Sequence, residues 1–113
     1  MITAFSFGQM VIDGVTYTND VKIIQNTVVP DWWRKSGHSV DVDDVHDILS
    51  YHPDILVIGK GDPGFMATSP DLQKVLKQKS IELIEEKTTR AIQIFNQMLK
   101  KGKRIAAGFH VAC

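Results

Sequence analysis

His110 and Cys113 invite a thiol–imidazole reading. An imidazole within hydrogen-bond reach of a thiol favours the thiolate, the nucleophilic form. Two arguments oppose a direct dyad. Residues three apart on a regular strand point to opposite faces, so the strand would have to end by residue 111. A terminal carboxylate beside Cys113 would also raise the thiol pKa. The competing reading is a buried, hydrogen-bonded His110 at a strand end. His38, His46 and His52 show no metal-ligand spacing with one another or with Cys113, so neither a metal nor another cofactor is expected.

Gly59-Lys60-Gly61-Asp62-Pro63-Gly64 fits G-x-G-x-x-G after an apolar run. In a dinucleotide site such glycines let backbone approach a pyrophosphate at a helix N-terminus. Here the next helix signal waits until Ser69, and Pro63 removes a backbone donor. The alternative is a tight turn closing a buried strand. Even so, ligands in open α/β sheets bind beyond the carboxyl ends of parallel strands. That edge should gather residues 60–66, 86–89 and the stretch after His110.

Lys87 and Arg90 fall in the first turn of an expected helix, where the macrodipole prefers acids. Either Glu85 and Glu86 neutralise them, or Arg90 turns toward the loop edge and holds a small anion. Lys100, Lys101, Lys103 and Arg104 complement the carbonyl end of the same helix. No aromatic is interleaved with them to stack on bases, so no nucleic-acid partner is expected. Trp32 and Trp33 are adjacent, so an extended backbone buries one and exposes the other. An exposed Trp33 beside Arg34 would be a contact anchor and would suit a homodimer; the alternative is a loop that covers both.

These residues need elements to hold them. Residues 2–7 and 10–17 read as a hairpin, with a further break at Asp13-Gly14. Residues 21–25 and Val28-Val29 read as strands. Asp41 caps a helix over about 42–50, and Pro53 follows it as a stop signal. Ile55–Ile58 is a continuous apolar run, the mark of a strand buried on both faces. Ser69-Pro70-Asp71 opens a helix with Leu72, Val75 and Leu76 inward. A strand follows over Ile81–Glu85, then a helix over 88–101 with Ala91, Ile92, Phe95, Met98 and Leu99 as its stripe. Gly102 closes that helix. The last strand runs from Ile105 to Val111, with Ala106, Ala107 and Gly108 permitting close helix packing. The second half is thus β-α-β-α-β, with three parallel strands by the right-handed crossover rule. The first half is an antiparallel strand layer.

The sequence has 113 residues, an apolar fraction of 43% and a net charge of zero. That is one α/β domain, 1–113, with surface enough to bury a core unaided. The zero is segregated: residues 87–113 carry six bases and no acid. The chain is not basic throughout, which excludes nucleic-acid binding by bulk charge. One cysteine suits a reducing compartment, and no apolar run approaches the ~20 residues of a membrane helix. A soluble, cytoplasmic protein without a membrane partner is expected.

The run Asp54-Ile-Leu-Val-Ile-Gly-Lys-Gly61, then Ser69-Pro70, Thr88-Thr-Arg-Ala91, Phe95-Asn96, Gly102-Lys-Arg104 and Ala107-Gly-Phe-His110-x-x-Cys113 resembles one small family. Asp20-Val21-Lys22, Pro30, Trp33, Gly37 and His38 fit it too. It is the adipogenesis-associated domain family, which includes a mitochondrial complex I assembly factor. The resemblance implies a three-layer α/β fold with a central mixed sheet and no established reaction. It implies pocket residues Gly59, Gly61, Thr88, Asn96, His110 and Cys113. No Arg precedes Arg34, so no transit peptide is expected, unlike the mitochondrial branch. The leading expectation is a non-catalytic interaction or assembly-type domain with a protein partner. The second is a domain that binds a small molecule or anion, or an enzyme acting on one. Its site would be the glycine-loop edge, with Gly61, Thr88 and Arg90 as binders and His110 as acid/base.

Overall fold

The computed structural model describes residues 1–112. Its centre is a five-stranded sheet made from β4 (Val21–Ile24), β5 (Thr27–Val29), β7 (Ile55–Gly59), β9 (Glu82–Glu86) and β10 (Ile105–Phe109), in the order β5-β4-β10-β7-β9. β10, β7 and β9 are parallel, and β4 runs antiparallel to β10 with Phe109 opposite Val21. The expected parallel trio is therefore present, inside a mixed sheet.

Every residue of β7 and β10 is buried, as apolar strands covered on both faces must be. Alternation then sorts side chains between two layers. Val57, Ala107 and Phe109 face α3 (Thr88–Lys100), which lays Ala91 and Phe95 against them. The Phe95 and Phe109 rings meet edge to face, centroids 5.8 Å apart. The same layer holds a small antiparallel sheet of β1 (Ile2–Ser6), β2 (Gln9–Ile12) and β3 (Val15–Tyr17), which contributes Ile2, Met10 and Ile12. It breaks at Asp13-Gly14 as expected. On the other face, Leu56, Ile58 and Ala106 pack against Ile48 of α1 (His46–Tyr51) and Leu72 and Leu76 of α2 (Pro70–Gln78). Burying each of these large apolar side chains contributes about 1.5–3 kcal/mol.

Two segments differ from expectation for physical reasons. Residues 42–50 do not form one helix: Val42–Val45 is a 3-10 turn and α1 starts at His46. The Asp44 carbonyl, which a continuous helix would aim at the Ile48 N–H, instead accepts from the Trp32 indole at 3.0 Å. Ile48 N–H donates to Asp47 Oδ1. The final strand stops at Phe109 rather than Val111, because the Val111 N–H donates to the Asp20 side chain.

The Ser69 cap is present, its Oγ accepting from Leu72 N–H at 3.1 Å. Strand β6 (Ser39–Val40) pairs in parallel with β8 (Ala67–Thr68), which ties the tryptophan loop to the glycine loop. The small residues of β10 serve two purposes. Ala107 admits α3, whereas Gly108 admits the Trp32 ring. A Cβ at 108 would lie 2.6 Å from two atoms of that indole. No described helix is long and apolar enough to cross a membrane.

Candidate functional site

The glycine loop follows β7 at the carboxyl edge of the parallel strands, but its first three N–H groups are already bonded within the protein. Lys60 N–H donates to Glu86 O, Gly61 N–H to Thr88 Oγ1 at 2.8 Å, and Asp62 N–H to Ala112 O. The Gly61 carbonyl accepts from Thr88 N–H and so caps the start of α3. Thr88 is fully buried, and its hydroxyl donates to His110 O at 2.7 Å. Gly59 leaves room for Phe109 and Thr88; a Cβ there would lie 2.6 Å from Phe109 Cδ1. These three donors point into the protein and are not available to a phosphate.

Arg90 does not turn toward that edge. It is exposed and donates to Gln93 Oε1 at 3.2 Å, along its own helix. Glu85 reaches the Thr68 N–H instead of a cation. Asn96 fastens β1: its side chain accepts from Ile2 N–H and donates to Ile2 O. Of the residues expected to form one pocket, Gly59, Gly61, Thr88 and Asn96 are thus packing or tethering residues. Cys113 lies outside the described residues.

His110 is the exception. A cleft of about 310 Å³ opens beside it, on the β4 side of β10. Its floor holds Asp20, Arg34 and His110, and its wall includes Trp33, Gly37 and His38. Asp20 immediately precedes β4, and His110 immediately follows β10, so antiparallel pairing of these strands brings the two together. Asp20 Oδ2 accepts from His110 Nδ1 at 2.8 Å and from Arg34 Nη2 at 2.7 Å. Its Oδ1 accepts from Val111 N–H at 2.8 Å.

Burial disfavours the Asp20 carboxylate. The bonds from His110, Val111 N–H and Arg34 outweigh that and hold its carboxyl below the usual value. An ionised carboxylate only accepts, so Nδ1 of His110 carries a proton and Nε2 is left for other partners. Arg34 is fixed equally firmly. Its Nε and Nη2 donate to Gly37 O, and its guanidinium lies 4.6 Å from the Trp32 ring centroid. Its side chain is only 4% exposed, because it closes the floor of the cleft instead of presenting a surface cation.

Trp32 and Trp33 part as an extended segment requires: Trp32 is 4% exposed and Trp33 is 76% exposed. Phe7 and Phe65 are also exposed. Phe7 adjoins Gly8, which lines the cleft, and the Phe65 ring stands 6.0 Å from that of His38. His38 in turn meets His110 edge-on at 5.5 Å. Trp33 and His38 therefore line a cleft with a charged floor, and Phe65 packs edge-on against the His38 side of it. Residue type and spacing single out Trp33, Arg34 and His110 but give no role to Asp20 or His38. The one signal in the sequence is an aspartate at the start of one strand and a histidine at the end of another, which only their pairing could join.

Fold and cleft together define a small three-layer α/β domain whose polar cluster hangs from the end of its central strand. Residues 2–110 match the family described as "Protein of unknown function (DUF498/DUF598)", and the chain belongs to that family. Solved structures share the fold over their length. A conserved hypothetical protein, PH1505 from Pyrococcus horikoshii OT3, is 27% identical, with a TM-score of 0.87 over 100% of this chain and 99% of that one. MT938 is 23% identical, with a TM-score of 0.82 over 100% and 98%. A Bordetella pertussis protein described as a Mth938-like domain is 12% identical, with a TM-score of 0.72 over 97% and 84%.

Proposed function

We propose that this chain is a non-catalytic binding domain of the cytoplasm that docks a segment of a partner protein over the aromatic-rimmed cleft. The observation that carries this reading is Trp33, 76% exposed at the lip of a formed cleft. An exposed tryptophan beside a concave surface is the residue type and the setting of an interface hot spot. Phe65, exposed and packed against the cleft residue His38, adds apolar surface beside it. The resemblance to the adipogenesis-associated family, with its assembly factor member, supports the same reading. A catalytic reading has less support. Asp20 orients His110, yet no described hydroxyl or thiol is hydrogen-bonded to Nε2 as a nucleophile would be.

Site-specific photocross-linking in the source cell tests the proposal. A cross-linker at Phe65 should give a discrete adduct that Trp33→Ala diminishes, whereas one at Lys74 on α2 should give none. The adduct's mass distinguishes a second copy of this chain from another protein. Equal labelling from both positions, or none from Phe65, would overturn the reading.

A further inference from the structure

We propose that the floor of the cleft is a carboxylate subsite, in which Arg34 Nη1 and His110 Nε2 receive one monoanionic carboxylate together with a proton. The proposal deepens the docking reading by naming the chemistry that the cleft would recognise. It starts from two atoms. Arg34 Nη1 and His110 Nε2 are buried and have no hydrogen-bond partner among the described residues. An unsatisfied buried polar atom is costly, and native structures keep few of them outside functional sites. Here two occur on side chains that line the same cleft and fork from the same oxygen, Asp20 Oδ2.

The donors still available define the ligand. Arg34 has spent Nε and Nη2 on Gly37 O and Asp20, which leaves the two N–H groups of Nη1. Nδ1 of His110 is committed to Asp20, which leaves Nε2. The Arg34 side chain is more than nine-tenths buried, so its charge is set by the fold and does not sample solvent. A carboxylate can set one oxygen against each of these two donor atoms. The Lys60, Gly61 and Asp62 N–H groups of the glycine loop are bonded within the protein and do not join these donors around a phosphate.

Charge balance gives the same answer. Among the described residues, the ionisable groups facing His110 are Asp20, Arg34 and His38. Asp20 and Arg34 cancel. With His110 neutral, Nε2 is an acceptor and repels a carboxylate oxygen. With His110 protonated, Nε2 donates, the floor carries one net positive charge, and one monoanion neutralises it. Ligand and proton therefore enter together. The carboxylate could be a free small acid or the terminus of a partner chain.

The test follows the assigned His110 ring signal by NMR through a pH titration of the intact protein, in sodium chloride, sodium acetate or sodium phosphate at matched ionic strength. A carboxylate that binds the protonated form at least tenfold more tightly raises the His110 midpoint by about one unit at saturation. Acetate should produce that rise, and phosphate should produce less. A short peptide with a free carboxyl terminus that acts like acetate, while its amide does not, would identify a chain end as the source. A response to acetate alone would identify a small acid. Arg34→Lys should weaken the acetate response at least tenfold, and the wild-type comparison decides the matter even if that variant does not fold. Identical midpoints in chloride and acetate, or a phosphate effect as large as that of acetate, would overturn the subsite. An unmoved His110 with an intact Phe65 cross-link would remove the subsite and leave docking in place. A moved His110 without the cross-link would do the reverse.

Discussion

Asp20 and His110 are 90 residues apart in sequence and 2.8 Å apart in space. The bond spans the seam between the antiparallel and parallel parts of the central sheet, because β4 begins where β10 ends. Arg34 completes the cluster through the same carboxylate oxygen.

Removing the Asp20 charge should therefore be costly. Asp20→Asn leaves the Arg34 guanidinium buried without its counter-ion, and breaking a buried pair in this way costs about 3–5 kcal/mol. Denaturant melts at neutral pH would show it. The pH dependence follows from linkage. The folded carboxyl titrates below its unfolded value of about 3.9. Between those two values the unfolded chain binds the proton, so stability rises with pH. The contribution is complete above the unfolded value and is lost as pH falls through the folded one. In Asp20→Asn this acid limb should flatten.

Gly108→Ala should disturb Trp32. The new methyl would stand 2.6 Å from the indole, which is held in place by its bond to Asp44 O. Overpacking of this kind costs about 1–3 kcal/mol. In a Trp33→Phe background, where Trp32 is the remaining tryptophan, the emission of Trp32 should move to the red as the ring loses its seat. An unchanged spectrum and melt would show that the loop yields freely.

Thr88→Val keeps the shape of a buried side chain and deletes its hydroxyl. The Gly61 N–H and the His110 carbonyl both lose their partner. Each orphaned group costs about 1–3 kcal/mol, so the Tm should fall by about 4 °C or more. Thermal melts followed by circular dichroism would measure it.

Arg90→Ala should do almost nothing. The side chain is exposed and its hydrogen bond stays on its own helix, so stability should change by less than about 0.5 kcal/mol. The acetate response of His110 should also be unchanged. A large effect on either would return Arg90 to the site.

The contrast between Arg90 and Arg34 shows what was legible in the sequence. Apolar periodicity marked β7, α2, α3 and β10, since local spacing decides which face a residue takes. The Ser69 cap and the Asp13-Gly14 break were legible for the same reason. Alternation in an extended chain anticipated that Trp32 and Trp33 would part. The cluster was not legible, because Asp20 and His110 share no local spacing. Their contact depends on β10 lying between β7 and β4, and periodicity carries no strand order. Lys87 and Arg90 drew attention through a local rule about helix ends, yet the Gly61 carbonyl had already met the first free N–H of α3. The split of residues 42–50 was hidden for a similar reason, because its cause is an indole twelve residues upstream.

The backbone of His110 has a consequence of its own. Its N–H donates to Gly59 O, which extends the β10–β7 ladder by one rung, and its carbonyl is held by Thr88. The imidazole is therefore mounted on the most interior strand pair of the molecule and not on a mobile loop. Local fluctuations that open edges and turns leave such a rung closed; it is released only when the whole sheet comes apart. The backbone that carries the imidazole toward Asp20 is then as long-lived as the native sheet itself. Whatever enters the cleft meets a floor assembled during folding, and the adaptability needed for recognition must come from its aromatic rim.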